Sequence, residues 1–308
     1  MELKSIAVVG PTASGKTRRA VDIARHFNSE VISADSRQVY RGMDLGTGKD
    51  LDEYGSVPYH LIDVADAGSK YNLHLFLRDF RQAYDSMQSR NLIPVICGGS
   101  GMYVESALSG IVMPQVDPDP QLREELASKS LEELTDILRG FKILHNTTDV
   151  DTCARAIRAI EIERYYASHP EEASMADREK ARPVPALIVG VDISRDERRD
   201  RISSRLDKRI EGGMLDEVKR LLASGVPAED LIYYGLEYKF LTLHAIGRLS
   251  WKEMRDGLEI AIHQFAKRQM TWFRGMERRG FHIHWLPYDL SPEDFTGEVI
   301  RLYEMTGS

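Results

Sequence analysis

The sequence predicts an α/β fold, a parallel sheet flanked by helices and interrupted by a mainly helical insertion. Three observations predict it. Short apolar runs alternate with helix-length amphipathic segments through the N-terminal third. The first run, SIAVVG, leads into GPTASGKT at residues 10–17, which fits G-x-x-x-x-G-K-[ST] with a strand before it and a helix after it. Beyond Pro114 helical apolar spacing and many charges replace the runs, and a strand-like segment, ALIVGVDI, returns at residues 186–193.

At 308 residues the chain can bury one large or two modest cores, and 42% hydrophobic with 29% charged residues is an ordinary globular composition. The formal net charge of −7 creates no overall positive field, so nucleic-acid binding requires a local basic patch. Cys97 and Cys153 form neither a disulfide framework nor metal-ligand spacing, which suits a reducing compartment. The apolar part of MELKSIAVVG is too short for a signal-peptide core, and no run approaches the ~20 apolar residues of a membrane helix. A cytoplasmic protein without membrane association is expected.

GPTASGKT comprises Gly10, Pro11, Thr12, Ala13, Ser14, Gly15, Lys16 and Thr17. Its glycines let backbone N–H groups wrap a phosphate, Lys16 adds a point charge, and the Thr17 hydroxyl suits Mg2+. The motif specifies phosphate without specifying its carrier. EVISAD reads as a second strand ending at Asp35, with Ser36, Arg37 and Gln38 following on a loop. A carboxylate there could take a proton from a nucleophile or hold Mg2+ through water; it could equally cap a helix or lock its own loop. YHLIDV reads as a third strand ending at Asp63, and PVICGG as a fourth. CGGSGMYVESAL (97–108) is a second glycine-rich turn into a helix, where Ser100 could meet another anionic oxygen, unless the glycines serve only close packing. No nucleophile–base pair is evident around Ser100. Ligands of open parallel sheets lie outside the carboxyl ends of the strands, so Gly10, Asp35, Asp63 and Gly98 are expected at one crevice.

QVDPDP is a turn-rich boundary, after which LREELASKSLEELTDILRG and DVDTCARAIRAIEIERYYASH read as helices, the second with Arg155 and Arg158 one turn apart. The expected division is a core of 1–113 with 183–308 and an insertion of 114–182. Residues 196–224 read as one long helix in which Arg201, Arg205 and Arg209 share a face. That row could close over a diphosphate or be a solvated, salt-bridged surface. Residues 250–279 read as another long helix, in which Lys267, Arg268, Arg274, Arg278 and Arg279 could follow a phosphate backbone while Trp272 and Phe273 enter the core. His282 and His284 share one face of a strand and are read as structural.

In this order, GPTASGKT, ADSRQVYRGMDLGTGK, HLIDV, GGSGMY, RAIRAIE and AKRQMTWFR resemble the tRNA dimethylallyltransferase (isopentenyltransferase) family, over about residues 5 to 275. The resemblance implies a P-loop NTPase-like, nucleotide-kinase-like fold whose cradle holds the diphosphate of dimethylallyl diphosphate, with no ATP consumed. It also implies transfer of the dimethylallyl group to the exocyclic amine of the adenine just 3′ of the anticodon. Residues 10–17 would then bind the diphosphate together with Arg201 and Arg205, with Mg2+ on Thr17, and Asp35 would be the general base. Lys16 would offset charge as the carbon–oxygen bond breaks, and Ser100 stands where the family usually has Thr. Asp35, Ser36, Arg37, Gln38 and Ser100 would contact tRNA, as would Ala154, Arg155, Ala156, Ile157 and Arg158, with Ala154 replacing the family's usual Gln. The implied partners of a monomeric enzyme are dimethylallyl diphosphate and the tRNA anticodon stem-loop, whose adenine enters a crevice between core and insertion. The sequence departs from the family at YYGLEYK (233–239), in place of an AIGYKE-like stretch, and at Ile262-His263, in place of Thr-Arg. It carries no extended zinc-finger region, so a bacterial type is expected. The competing expectations are an adenylate isopentenyltransferase acting on free AMP, ADP or ATP, a P-loop kinase of a small metabolite, and a tRNA-binding module with an inactive site.

Overall fold

The computed structural model describes residues 4–307 except 112, 114–115, 145–147 and 172–182. In chain order, β1 (Ser5–Val9) is followed by α1 (Lys16–His26), β2 (Val31–Ser33), β3 (Tyr59–His60), α2 (Leu73–Ser89), β4 (Val95–Gly98) and α3 (Gly101–Ser109). Next come α4 (Pro120–Leu126), α5 (Leu131–Arg139) and α6 (Cys153–Ser168). The chain continues through β5 (Ala186–Asp192), α7 (Arg195–Glu211), α8 (Met214–Ala223), α9 (Ala228–Tyr233), α10 (Leu236–Ala245), α11 (Trp251–Arg278), β6 (Ile283–Pro287) and α12 (Pro292–Gly307). Contacts divide the chain into two compact units, Met1–Gly110 with Pro183–Ser308, and Ile111–Arg182.

The larger unit holds a six-stranded sheet in the order β3-β2-β4-β1-β5-β6, parallel at every pairing. β1, β2 and β4 are buried at every residue, which is why they read as unbroken apolar runs rather than alternating ones. Val21 and Ile23 of α1 and Phe295 and Val299 of α12 pack with Ile6, Val8, Val189 and Val191 of the sheet. Each such side chain contributes about 1.5–3 kcal/mol by leaving water. A second cluster joins α7, α8, α10 and α11 to Val39, Tyr40 and Met43 of the loop after β2.

Three expected elements are corrected. The third strand ends at His60, because Leu61 (φ 62°) and Asp63 (φ 57°) adopt left-handed backbone that no strand can continue. The expected helix over 196–224 is two helices, parted where Gly213 takes φ 95°. The first insertion helix is also two, since Ser130 and Glu133 form a reciprocal capping box that starts α5 afresh. β6 begins at Ile283, with the rings of His282 and His284 edge to face at 4.3 Å.

In the smaller unit, Leu122 and Leu126 of α4, Leu134 and Leu138 of α5, and Ala156 and Ile160 of α6 form the core. Glu161, 3% exposed, accepts two hydrogen bonds from Arg123 (2.6 and 2.8 Å), one from Arg158 (2.9 Å) and one from the Asp119 N–H (2.9 Å). Those partners are what make a buried carboxylate tolerable there.

Candidate active site

The site follows from strand order. β2, β4 and β1 are neighbours, with Ser33 opposite Cys97 and Val9 opposite Gly98. The chain leaves these strands toward Asp35, Ser100 and the phosphate cradle, so the three emerge side by side at the carboxyl edge. They line a cavity of about 350 Å³ together with Lys16, Thr17 and Arg205. Asp63 does not line it, contrary to expectation. Its carboxylate pairs with Lys49, which is 0% exposed and also donates to the Tyr40 carbonyl (2.7 Å) and Asp44 (2.6 Å). The early end of β3 turns Asp63 into a structural ion pair.

The cradle is held in an unusual backbone shape. Ala13 (φ 63°) and Gly15 (φ 79°) are both left-handed, a strained state for Ala13. Arg201 steadies it by donating from Nε to the Ala13 carbonyl at 2.9 Å. Among the described residues Lys16 reaches only the Pro11 carbonyl, at 3.5 Å. Burial pushes the Lys16 ammonium below its ordinary value; Arg205 acts in the same sense, and Cys97 and Asp35 oppose it. Burial, reinforced by neighbouring Arg209, pushes the Arg205 guanidinium down to about 10, so it stays cationic near neutrality. The Ser14 hydroxyl is buried without a hydrogen-bond partner among the described residues. Crowded cations and an orphaned hydroxyl make this a place for an anion. A second recess of about 490 Å³ shares Lys16, Thr17, Asp50 and Arg205 with the first and adds Arg201 and Lys208. The arginine row thus divides its work: Arg201 braces the cradle, Arg205 faces both recesses, and Arg209 pairs with Asp50 at 2.9 Å.

Asp35 locks its own loop and still faces the cavity. Oδ1 accepts the Arg37 N–H at 2.9 Å, an Asx-turn, and the other carboxylate oxygen has no partner among the described residues. The Ser36 N–H donates to Ser100 Oγ at 3.1 Å, joining the two strand-end loops. Gln38 lines the cavity but is only 8% exposed; it accepts from Ser33 Oγ (2.8 Å) and donates to the Gly48 carbonyl (3.0 Å), so it braces the loop. Burial pushes the Cys97 thiol up to about 11, which leaves it protonated and unreactive at neutral pH.

Three further residues shape the cavity without having been expected. Glu217 is buried; Oε2 accepts the Asp44 and Leu45 N–H groups (both 2.9 Å), and Oε1 accepts the Gly46 N–H (3.1 Å) and the Tyr238 hydroxyl (2.5 Å). Tyr238 belongs to YYGLEYK, so that departure buttresses the cavity loop. Gln269 is buried against the cradle, and Glu237 lines the cavity with its carboxyl pushed up by burial against the pull of Arg209 and Arg205. The available signal was a polar residue inside an apolar stripe: Glu217 between Met214 and Val218, and Gln269 between Ala266 and Phe273.

Elsewhere the expectations divide. Trp272 is 40% exposed, not core: its Nε1 donates to Glu105 at 2.7 Å and its ring covers Gly101, where a Cβ would lie 2.4 Å away. Phe273 is fully buried. In the smaller unit Ala154 and Arg155 are exposed, with Arg155 paired to Asp151 at 2.5 Å, and Arg158 is engaged by Glu161 and the Val116 carbonyl. Ala156 is 0% exposed, and the partly buried Ile157 packs against the same core. Among the described residues no group of three or more His, Cys, Asp or Glu could hold a metal, and no helix is long and apolar enough to cross a membrane.

A parallel sheet with a phosphate cradle, a strand-end carboxylate and a serine turn around one cavity defines a P-loop protein of the transferase kind. The family described as IPP transferase matches residues 38–276, and that described as isopentenyl transferase matches residues 3–54. tRNA dimethylallyltransferase 2 of Bacteroides fragilis is 58% identical over 293 residues, 94% of each chain. tRNA dimethylallyltransferase 2 of Porphyromonas gingivalis is 54% identical over 306 residues, covering 98% of this chain and 100% of that one. The crystal structure of the full-length tRNA isopentenylpyrophosphate transferase from Bacillus halodurans superimposes with a TM-score of 0.71 at 29% identity, covering 98% of this chain and 97% of that one. The chain belongs to the IPP transferase family, the tRNA dimethylallyltransferases.

Proposed function

We propose that this enzyme transfers a dimethylallyl group from dimethylallyl diphosphate to the exocyclic amine of the adenine 3′ of the anticodon in tRNA, releasing diphosphate. One observation carries the reading: an anion cradle and an under-partnered carboxylate, Asp35, line the same cavity. The amine nitrogen forms a bond to the allylic carbon as the carbon–oxygen bond breaks, the electron pair leaves with the diphosphate, and Asp35 takes the amine proton. Lys16 and Arg205 meet the charge that develops on the leaving group. Because the amine is a weak nucleophile, holding it against the allylic carbon contributes more than removing its proton.

A divalent cation such as Mg2+ fits the residues present. The Thr17 hydroxyl would hold it, with Asp35 and Asp50 lining the same cavity. The lack of a carboxylate cage among the described residues suits an ion that takes most ligands from phosphates and water. When bound it supplies charge neutralisation for the departing diphosphate. For tRNA, Arg37 and Ser36 at the cavity and Arg155 and Ala154 of the smaller unit are the proposed contacts. We further propose a monomer acting in the cytoplasm, where the unpaired Cys97 and Cys153 suit a reducing compartment.

The experiment is incubation with labelled dimethylallyl diphosphate and Mg2+, offering unmodified tRNA in one reaction and AMP, ADP or ATP in others. Label entering tRNA upholds the reading. Label entering only mononucleotides assigns the chain to adenylate prenylation, and consumption of ATP without prenyl transfer assigns it to a kinase.

A further inference from the structure

We infer that Gln269 is a positioning residue for this transfer, locking the phosphate cradle to the serine turn so that Lys16, Ser100 and Asp35 keep one mutual geometry. Gln269 Oε1 accepts the Thr12 N–H at 2.8 Å, and Nε2 donates to the Gly99 carbonyl at 2.8 Å. The side chain is 5% exposed and stands in the stripe of α11 otherwise made of Leu258, Ile262, Ala266 and Phe273. A carboxamide here belongs to the cradle, because an apolar side chain would suit the helix better. Gly99 is the meeting point: a Cβ there would lie 2.6 Å from Gln269 Nε2 and 3.3 Å from both the Gly10 carbonyl and Lys16 Cε. The Lys16 stem therefore runs over a backbone segment that Gln269 holds in place. The Thr12 N–H is taken by this bond, so phosphate must be met further along the loop.

A carboxamide offers an acceptor and a donor on separate atoms without charge at any ordinary pH. A hydrocarbon leaves the part-buried Thr12 N–H and the buried Gly99 carbonyl without this partner. A carboxylate loses the donor and adds negative charge beside the diphosphate. Protonation of that carboxyl restores both hydrogen bonds, which yields a signature that simple loss of packing lacks.

The inference rests on the proposed activity, and the experiment separates the two. Gln269→Met and Gln269→Glu are compared with the parent for kcat and donor KM on tRNA, for calorimetric binding of inorganic diphosphate with Mg2+, and for thermal unfolding. The expected result is a kcat lowered about 100-fold in Gln269→Met at nearly unchanged donor KM. In Gln269→Glu, diphosphate binding relative to the parent is expected to weaken about tenfold or more near pH 8 and to recover toward about pH 5. Parent-like kcat and diphosphate affinity in both variants overturns the inference. So does a loss that is the same in both, independent of pH and matched by the unfolded fraction, which marks Gln269 as packing only. If the parent binds diphosphate but prenylates no tRNA, the functional reading fails, and the pH signature in diphosphate binding still decides for or against Gln269.

Discussion

Asp35 does two jobs with two oxygens. Oδ1 fixes the turn through the Arg37 N–H, and the other oxygen is left to the cavity. The informative substitution is therefore Asp35→Asn, whose carbonyl can keep the turn while the proposed base is lost. Turnover is expected to fall by about two to four orders of magnitude with donor affinity retained, read from single-turnover rates beside diphosphate titration. An unchanged rate removes Asp35 from the reaction. In the smaller unit Arg155 is exposed, while the next residue of α6, Ala156, is buried. Arg155→Ala is expected to weaken tRNA binding and to lower the slope of log affinity against log salt by about one, with donor binding unchanged. Equal slopes for mutant and parent remove Arg155 from the tRNA contacts.

At the scale of elements, α8 and α10 matter through the loop they hold. Glu217 gathers three successive backbone N–H groups, at Asp44, Leu45 and Gly46, and Tyr238 closes the set. The loop then continues as Gly46, Thr47 and Gly48 along the cavity wall. In Glu217→Gln one oxygen becomes an amide that cannot accept, leaving buried donors unpaired. A stability loss of about 1–3 kcal/mol is expected, with faster hydrogen exchange at residues 44–46. Exchange unchanged at those amides would show that another contact holds the loop.

For the whole molecule, Glu30 links the approach to β2 with the end of α2 and with β3. It accepts two hydrogen bonds from Arg90 (2.6 and 2.8 Å) and contacts His60 Nε2 at 2.7 Å. The Arg90 hydrogen bonds hold its carboxyl down at about 2, against an ordinary value of 4.5, with His60 acting in the same sense. A depressed carboxyl stabilises the fold above its ordinary value and loses that contribution as pH falls toward the folded one. The thermal midpoint of Glu30→Gln is thus expected to lie below the parent's at neutral pH and to converge with it as pH falls from about 4.5 to about 2. Parallel curves would place the acid sensitivity elsewhere.

The sequence by itself determined the parallel α/β class, the cradle motif at residues 10–17 and the two loops that carry Asp35 and Ser100, because apolar runs and glycine-rich turns are local patterns with local causes. It did not determine that YHLIDV ends early: the left-handed backbone at Leu61 and Asp63 accompanies an ion pair with the buried Lys49, which lies fourteen residues away from Asp63. Nor could it assign Gln269 or Glu217, whose partners lie 257 and 173 residues away in Thr12 and Asp44. A buried polar side chain takes its role from whichever unpaired backbone group the fold brings beside it, and periodicity along one helix carries no information about that group. Strand order had the same status. Only the placing of β4 between β1 and β2 set Ser100 beside both the cradle and Asp35.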